Sequence, residues 1–489
     1  MFFSVHSVAL VGVEPRPVVA EAHVYTAQEA SFRIVGLPDT AIREASARIL
    51  SSMSASSIRR QNSTIVVNLA PADLRKQGSA YDLPMALAAL GASGLAARAR
   101  VVALGELALD GSLRSVRGGV GAAMVARDME VPCLLPPGAA TDAAVVVGAD
   151  IRVVRSLAEA LGVMGGTFEG GGLPDIPVVE EHQGRDLAVL RGQARPRRAL
   201  EVAAAGGHHL LLSGPPGTGK TLLASCLPGI LPPLTDEEAL EVGLVWSASG
   251  MQRRSIRTPP FRDPHHSASR AALLGGGSGM PRAGEVSLAH RGVLFLDEFG
   301  EFPVTVLDGL RQPLESGSIT IARTGITVRF PADVQVVAAS NPCPCGFKGD
   351  NKISCTCSEA GIEKYRKRFS GPLMDRFDIR MVVESVDPDV MLGPEGESTA
   401  DVRERVATAR CRQIERGRLN RGLQREDLDE HDWDERGIRM LRAGMERGVL
   451  TGRGFDRVRR VARTIADLAG SDQVSEAHTA EALGLRAHL

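Results

Sequence analysis

The stretch HLLLSGPPGTGKTLLASCL, residues 209–227, constrains the fold more than any other part of the chain. An apolar run enters G-P-P-G-T-G-K-T and leaves into a helix-forming segment. This is the strand–GxxxxGK[ST]–helix context of a phosphate-binding loop. Gly214, Pro215, Pro216, Gly217, Thr218 and Gly219 would turn their backbone around phosphates. Lys220 would reach the β and γ phosphates, and the Thr221 hydroxyl would hold Mg²⁺. A Gly-rich turn before an ordinary helix needs neither Lys-Thr nor both flanks, so the pattern implies bound ATP.

Two further strand patterns end in polar residues. GVLFLDEFGEF (292–302) delivers two acids at the end of a buried strand. Asp297 is expected to support Mg²⁺ and Glu298 to polarise the attacking water. ADVQVVAASNPCPCG (332–346) ends its strand at Asn341. In a doubly wound α/β sheet the carboxyl ends of strands line the nucleotide site. Asn341 is therefore expected to orient water there; its bland alternative is a strand-end cap. FSGPLMDRFDIRMVV (369–383) carries Arg376 between two acids. Its alternatives are a local ion pair or an arginine finger acting on a neighbouring subunit's ATP.

A chain of 489 residues with a formal net charge of -1 is too long for one core and has no global basic field. No apolar run is long enough to span a membrane. The first residues read as a strand rather than a signal peptide, so a cytoplasmic, reducing location without structural disulfides is expected. Residues 1–165 alternate strands such as IVVNLAP (65–71), RVVALGEL (100–107), VPCLLPP (131–137) and DIRVV (150–154) with helical patterns. A Gly/Pro/acid-rich stretch, 166–189, reads as a linker. Strand–helix alternation then resumes, and the chain after about residue 402 is helical throughout.

The order of these motifs resembles an AAA+ ATPase. FRDPHHSASRAALLGGG (261–277), LESGSITIARTGITVRFPADVQVVAASNPCPCG (314–346) and SGPLMDRFD narrow the resemblance to the magnesium-chelatase-like ATPases of the ComM/YifB family. It implies an AAA+ core at 190–395 and a helical lid at 396–489. In LTGRGFDRVRRVARTIADL (450–468) it implies a sensor arginine contacting the γ-phosphate. Arg453 is the first choice, with Arg457 and Arg460 as alternatives.

SITIARTGITVRF (318–330) alternates around a T-G turn and reads as a β-hairpin. In helicase relatives such a tip faces a central channel, which makes Arg323 a DNA-contact candidate, with GGGSG (275–279) as a second channel-facing insertion. The resemblance implies a homo-hexameric DNA motor that branch-migrates recombination joints in natural transformation or repair. It would act on single-stranded or branched DNA, alongside other recombination proteins. A metal-chelatase-like or protein-remodelling ATPase is the alternative.

The amino-terminal part is similar to the Lon-like (S5 domain 2-like) α+β domain, through GELALDGSLRSVRGGVGAAMVARDMEVPCLLPP (105–137) and GSAYDLPMALAAL (78–90). Lon chemistry needs a Ser–Lys dyad. Here the Ser position falls at Ala80 or Tyr81 and the Lys position at Gly121, so no protease is expected. Four cysteines, Cys343, Cys345, Cys355 and Cys357, crowd the loop after Asn341 as C-x-C…C-x-C. Two readings stay open for them: a Zn²⁺ staple, or a packed loop without metal.

Overall fold

The computed structural model describes every residue except 37–38, 59–61, 75, 77, 98, 174–183, 252, 254, 278–279, 324–325, 351, 370 and 487–489. The middle of the expected linker, part of the Gly-rich stretch 275–279 and the hairpin tip thus lie outside the described residues.

The amino-terminal strands are β1 (Phe2–Val11), β2 (Glu14–Thr26), β3 (Ser31–Val35), β4 (Ser63–Ala70), β5 (Val102–Ala103), β6 (Glu106–Leu107), β7 (Leu113–Arg114), β8 (Cys133–Leu135) and β9 (Ile151–Val153). Seven of them form one sheet in the order β3-β4-β2-β1-β5-β8-β9, and β6 pairs with β7 separately. Alternation along β1 sends Val5 and Ala9 into one apolar cluster with helices Thr40–Ala55 and Asp82–Ala92. Val8 points the other way, into a cluster with helix Gly119–Asp128.

Two sequence expectations change here. The run 100–107 breaks into β5 and β6, and the strand expected at 131–137 stops at Leu135 because Pro137 opens a helix. Strand β2 is long despite Pro15 and Pro17. Its pairing with β4 starts only at Val19, so both prolines lie where that side of β2 has no strand neighbour among the described residues.

The core strands are β10 (Leu210–Ser213), β11 (Phe261–Arg262), β12 (Val293–Leu296), β13 (Ser318–Arg323), β14 (Ile326–Pro331), β15 (Gln335–Ser340) and β16 (Ile379–Val382). Five make a wholly parallel sheet in the order β11-β12-β15-β10-β16. β13 and β14 form the antiparallel hairpin that the alternation implied. The sheet is buried on both faces, as continuous apolar strands require. Leu210, Leu212, Val293, Val337 and Ile379 face helices Ala194–Gly206 and Lys220–Ile230. Leu211, Leu294, Leu296 and Val336 face Val286, Val306, Leu307 and Ile319.

Beyond residue 396 the chain is helical: Thr399–Glu415, Glu435–Glu446, Gly452–Leu468 and Glu476–Gly484 are its main helices. Val402, Val406, Leu441, Val458, Val461 and Ile465 share one apolar cluster with the core sheet. The amino-terminal unit is also docked. Helix Asp236–Ser249 of the core contributes Ala239 and Val242 to the cluster that holds Val120, Ala123 and Val145, and Gly118 N–H donates to Ser247 Oγ at 3.1 Å. No helix among the described residues is long and apolar enough to cross a membrane.

Candidate nucleotide site and the opposite edge of its sheet

The loop between β10 and helix Lys220–Ile230 is closed tightly. Gly217 and Gly219 hold φ of 78° and 85°, which side chains rarely adopt. At Gly214 an added Cβ would stand 2.1 Å from the Val383 carbonyl oxygen, so the backbone approach there admits only glycine. Lys220 is 9% exposed. Its ammonium donates to the carbonyls of Gly214 (2.7 Å) and Pro215 (2.8 Å) and to Asn341 Oδ1 (3.3 Å). Burial lowers the Lys220 pKa, with the charge of Asp297 opposing. Thr218 Oγ1 donates to Pro215 O at 2.9 Å and its own carbonyl accepts from Gln193 Nε2 at 2.6 Å, which stiffens the loop.

The strand ends complete the cluster. Thr221 Oγ1 donates to Asp297 Oδ2 at 2.8 Å, and the Glu298 N–H donates to Asp297 Oδ1 at 2.8 Å. A hydroxyl and a carboxylate at this separation are hard oxygen donors suited to Mg²⁺. Glu298 has a left-handed backbone, φ 48° and ψ 44°, and its carboxylate meets His266 Nδ1 at 2.9 Å. A carboxylate carried on an unfavourable backbone is a candidate for strain kept for function.

Two residues were not singled out by sequence. Asp263 follows β11, and burial, then the charge of Asp297, raise its carboxyl pKa. His266 lies three residues further on. The signal that finds them is the D-P-H-H directly after a short strand beside β12.

The arginines gather elsewhere. Arg376 precedes β16, whose residues Ile379 to Val382 run parallel to Leu210 to Ser213. The phosphate loop leaves the carboxyl end of that sheet, so Arg376 stands at its amino end. Arg376 is largely buried there: it donates to Pro372 O at 2.6 Å and pairs with Glu315, while its Nε has no hydrogen-bond partner among the described residues. Burial, then the neighbouring charges of Arg453, Arg457 and Arg311, lower its pKa.

Arg457 pairs with the fully buried Asp378 and donates to Arg376 O at 3.1 Å. Arg460 Nε donates to Leu423 O at 2.7 Å. Arg453, by contrast, is exposed in the first turn of helix Gly452–Leu468. The structure therefore joins Lys220, Thr221, Asp297, Glu298 and Asn341 at one edge, and Arg376 with Arg453 at the other. Arg453 beside Arg376 is not within the chain's own phosphate site.

Arg323 is exposed at the end of β13, and a Cβ built on Gly276 would lie 3.9 Å from its guanidinium. The hairpin and the Gly-rich insertion thus stand side by side. The four loop cysteines also converge, with their sulfurs all within 4.8 Å of one another.

The family described as magnesium chelatase, subunit ChlI, matches residues 186–391, a second ChlI description matches residues 20–139, and its C-terminal part matches residues 396–486. The chain is 40% identical to the uncharacterized protein YifB of Salmonella typhimurium, over 99% of this chain and 96% of that one. It is 39% identical to the competence protein ComM of Haemophilus influenzae, over 99% and 97% of the two chains. A partial match, 28% identical over 31% of this chain and 18% of the other, is to the DNA replication licensing factor mcm-5 of Caenorhabditis elegans. Similarity over essentially the whole length, together with the phosphate loop and the parallel sheet, means that this chain belongs to the ComM/YifB family of magnesium-chelatase-like AAA+ ATPases.

Proposed function

We propose that the chain is an ATP-driven DNA motor, working as a ring of identical subunits, with six the expected number, that moves branched recombination joints. Its parts would be a Lon-like scaffold (1–165), a linker (166–189), an AAA+ core (190–395) and a helical lid (396–489). Lys220 and the loop backbone hold the triphosphate, and Thr221 and Asp297 hold Mg²⁺, which would neutralise charge between the phosphates. Glu298 orients and polarises the attacking water, with Asn341 beside it. Arg376 and Arg453 reach a neighbour's γ-phosphate. A cavity of about 930 Å³ next to them sets Arg380, Arg436, Arg439, Arg447 and Arg486 against only Asp375 and Glu476, so that edge keeps a net basic surface to receive an anionic one.

The observation that carries this reading is the split site: loop and carboxylates at one edge of the sheet, arginines at the other. A subunit built this way holds half of each of two catalytic sites. DNA as the substrate rests on the exposed Arg323 hairpin beside the Gly-rich insertion, on the relative named a competence protein, and on the partial likeness to a replication licensing factor.

The test is ATP hydrolysis with and without forked or four-way DNA. Hydrolysis should rise with branched DNA, be lost in Lys220→Ala, and accompany joint movement. Hydrolysis indifferent to DNA, with joints left in place, would sink the reading. That result would favour a chelatase-like or protein-remodelling ATPase, which the magnesium-chelatase family match supports. Contacts at Arg323 would be chiefly to phosphates, so DNA binding should weaken with salt.

A further inference from the structure

We infer that Cys343, Cys345, Cys355 and Cys357 bind a single zinc ion, and that the resulting knuckle braces the phosphate-binding loop. The sulfurs of Cys343 and Cys345 are 3.4 Å apart, those of Cys345 and Cys355 3.5 Å, and those of Cys343 and Cys355 3.7 Å. Four thiolates held about 2.3 Å from one tetrahedral ion stand about 3.8 Å from each other. A multi-iron cluster would need its four sulfurs further apart, so the spacing fits one ion.

The chain's other cysteines supply the contrast. Cys133 and Cys226 lie inside apolar clusters, as small hydrophobes do. The four loop cysteines belong to none of the four apolar clusters, and three of them are only partly buried. Their sulfurs face one another instead. A backbone N–H is turned toward them as well, that of Cys345 donating to Cys357 Sγ at 3.3 Å. Such a donor stabilises a metal-bound thiolate and fixes its direction. Lys348 and Lys352 on the same loop offset the charge of four thiolates. None of the four forms a disulfide.

The link to the phosphate loop is one glycine. Gly346, at φ 87°, follows Cys345 directly. A Cβ there would lie 2.6 and 2.8 Å from Pro216 Cδ and Cγ, and 3.7 Å from Asn341 Cγ. The knuckle therefore presses its backbone onto the phosphate loop and the side chain bonded to Lys220. Zinc would fix the position of Gly346, and Gly346 that of Pro216. The bracing half of this inference rests on the ATP reading; the metal site does not.

The full-length protein, purified without added metal, should carry about one zinc per chain, and X-ray absorption should find four sulfurs at about 2.3 Å. Zinc well below one per chain, or iron with labile sulfide in its place, overturns the site. The double variant Cys345→Ser, Cys357→Ser should lose the metal; retention of a full zinc would overturn the ligand assignment. Since that variant risks misfolding, the bracing is measured on wild-type protein, stripped of zinc and refilled. Stripping should weaken binding of a fluorescent ATP analogue about tenfold, and refilling should restore it. Equal affinity with and without zinc overturns the brace. If zinc-loaded protein binds no ATP at all, the ATP reading fails while the metal site stands.

Discussion

The two edges of the core sheet are built differently. At the carboxyl edge the groups follow buried strands directly: the phosphate loop opens at Gly214 after β10 and leads to Lys220 and Thr221, Asp297 and Glu298 follow β12, and Asn341 follows β15. At the amino edge the groups come from distant segments: Glu315 from a short helix, Arg376 from the turn before β16, Arg453 and Arg457 from the lid. The first edge is assembled by local chain direction and the second by tertiary packing.

The largest effect should come from breaking this division. Arg376→Ala should cut ATP hydrolysis about a thousandfold while leaving ATP affinity of the same subunit nearly unchanged. Mixing it with Lys220→Ala subunits should recover activity, because some interfaces then pair an intact loop with an intact arginine. Equilibrium binding and mixed-subunit turnover check this. Loss of ATP affinity in the folded Arg376→Ala protein would mean that both edges serve one site. Glu298→Gln should reduce turnover about a hundredfold with ATP still bound, since it removes the polarising carboxylate and keeps the loop. No rescue by Lys220→Ala subunits is expected there, because both changes lie in the same half-site.

A third substitution tests what joins the lid to the amino edge. Asp378 is fully buried between Arg457 and His208, whose Nδ1 is 3.3 Å from its carboxylate, and His208 Nε2 meets Thr464 Oγ1 of the lid at 2.8 Å. Burial alone would raise its pKa; the charge of Arg457 and the hydrogen bond from His208 outweigh it and hold the carboxyl well below the usual carboxylate range. A depressed carboxylate stabilises the fold above its unfolded pKa and ceases to do so as pH falls through the folded value. Asp378→Asn should therefore cost about 3 kcal/mol at neutral pH, by stranding Arg457, and flatten the acid limb of the stability curve below about pH 4. Urea unfolding across pH reads both.

The same contrast explains what was legible in the sequence. The phosphate loop, both carboxylates and Asn341 carry their context with them, an apolar run ending in a polar residue. The hairpin was legible by alternation, and the lid by its unbroken helical texture. Among the lid arginines, Arg453, Arg457 and Arg460 look alike in a basic helix. Only packing separates them, because Arg457 is spent on Asp378 and Arg460 on a backbone carbonyl. Strand β2 was obscured by its prolines, which are tolerated because β4 begins beside it only at Val19. His266 and Asp263 were missed because a two-residue strand gives too short a pattern to announce its end.

The smallest effect concerns the pair that keeps Arg376 at home. The Arg376 side chain is 7% exposed and its partner Glu315 is 62% exposed. To act on a neighbour's phosphate Arg376 must leave Glu315. Pairs with one partner open to water are worth about 0.5–1 kcal/mol, so releasing the arginine should change the productive fraction about two- to fivefold. Glu315→Gln should therefore raise hydrolysis by that factor at low protein concentration, where assembly limits turnover, and do little when the ring is saturated. The buried Nε of Arg376, already without a partner among the described residues, argues that the resting arrangement is one the side chain can leave. If Glu315→Gln instead lowers turnover as far as Arg376→Ala does, Glu315 aims the arginine rather than restrains it, and the amino edge is preassembled before a neighbour arrives.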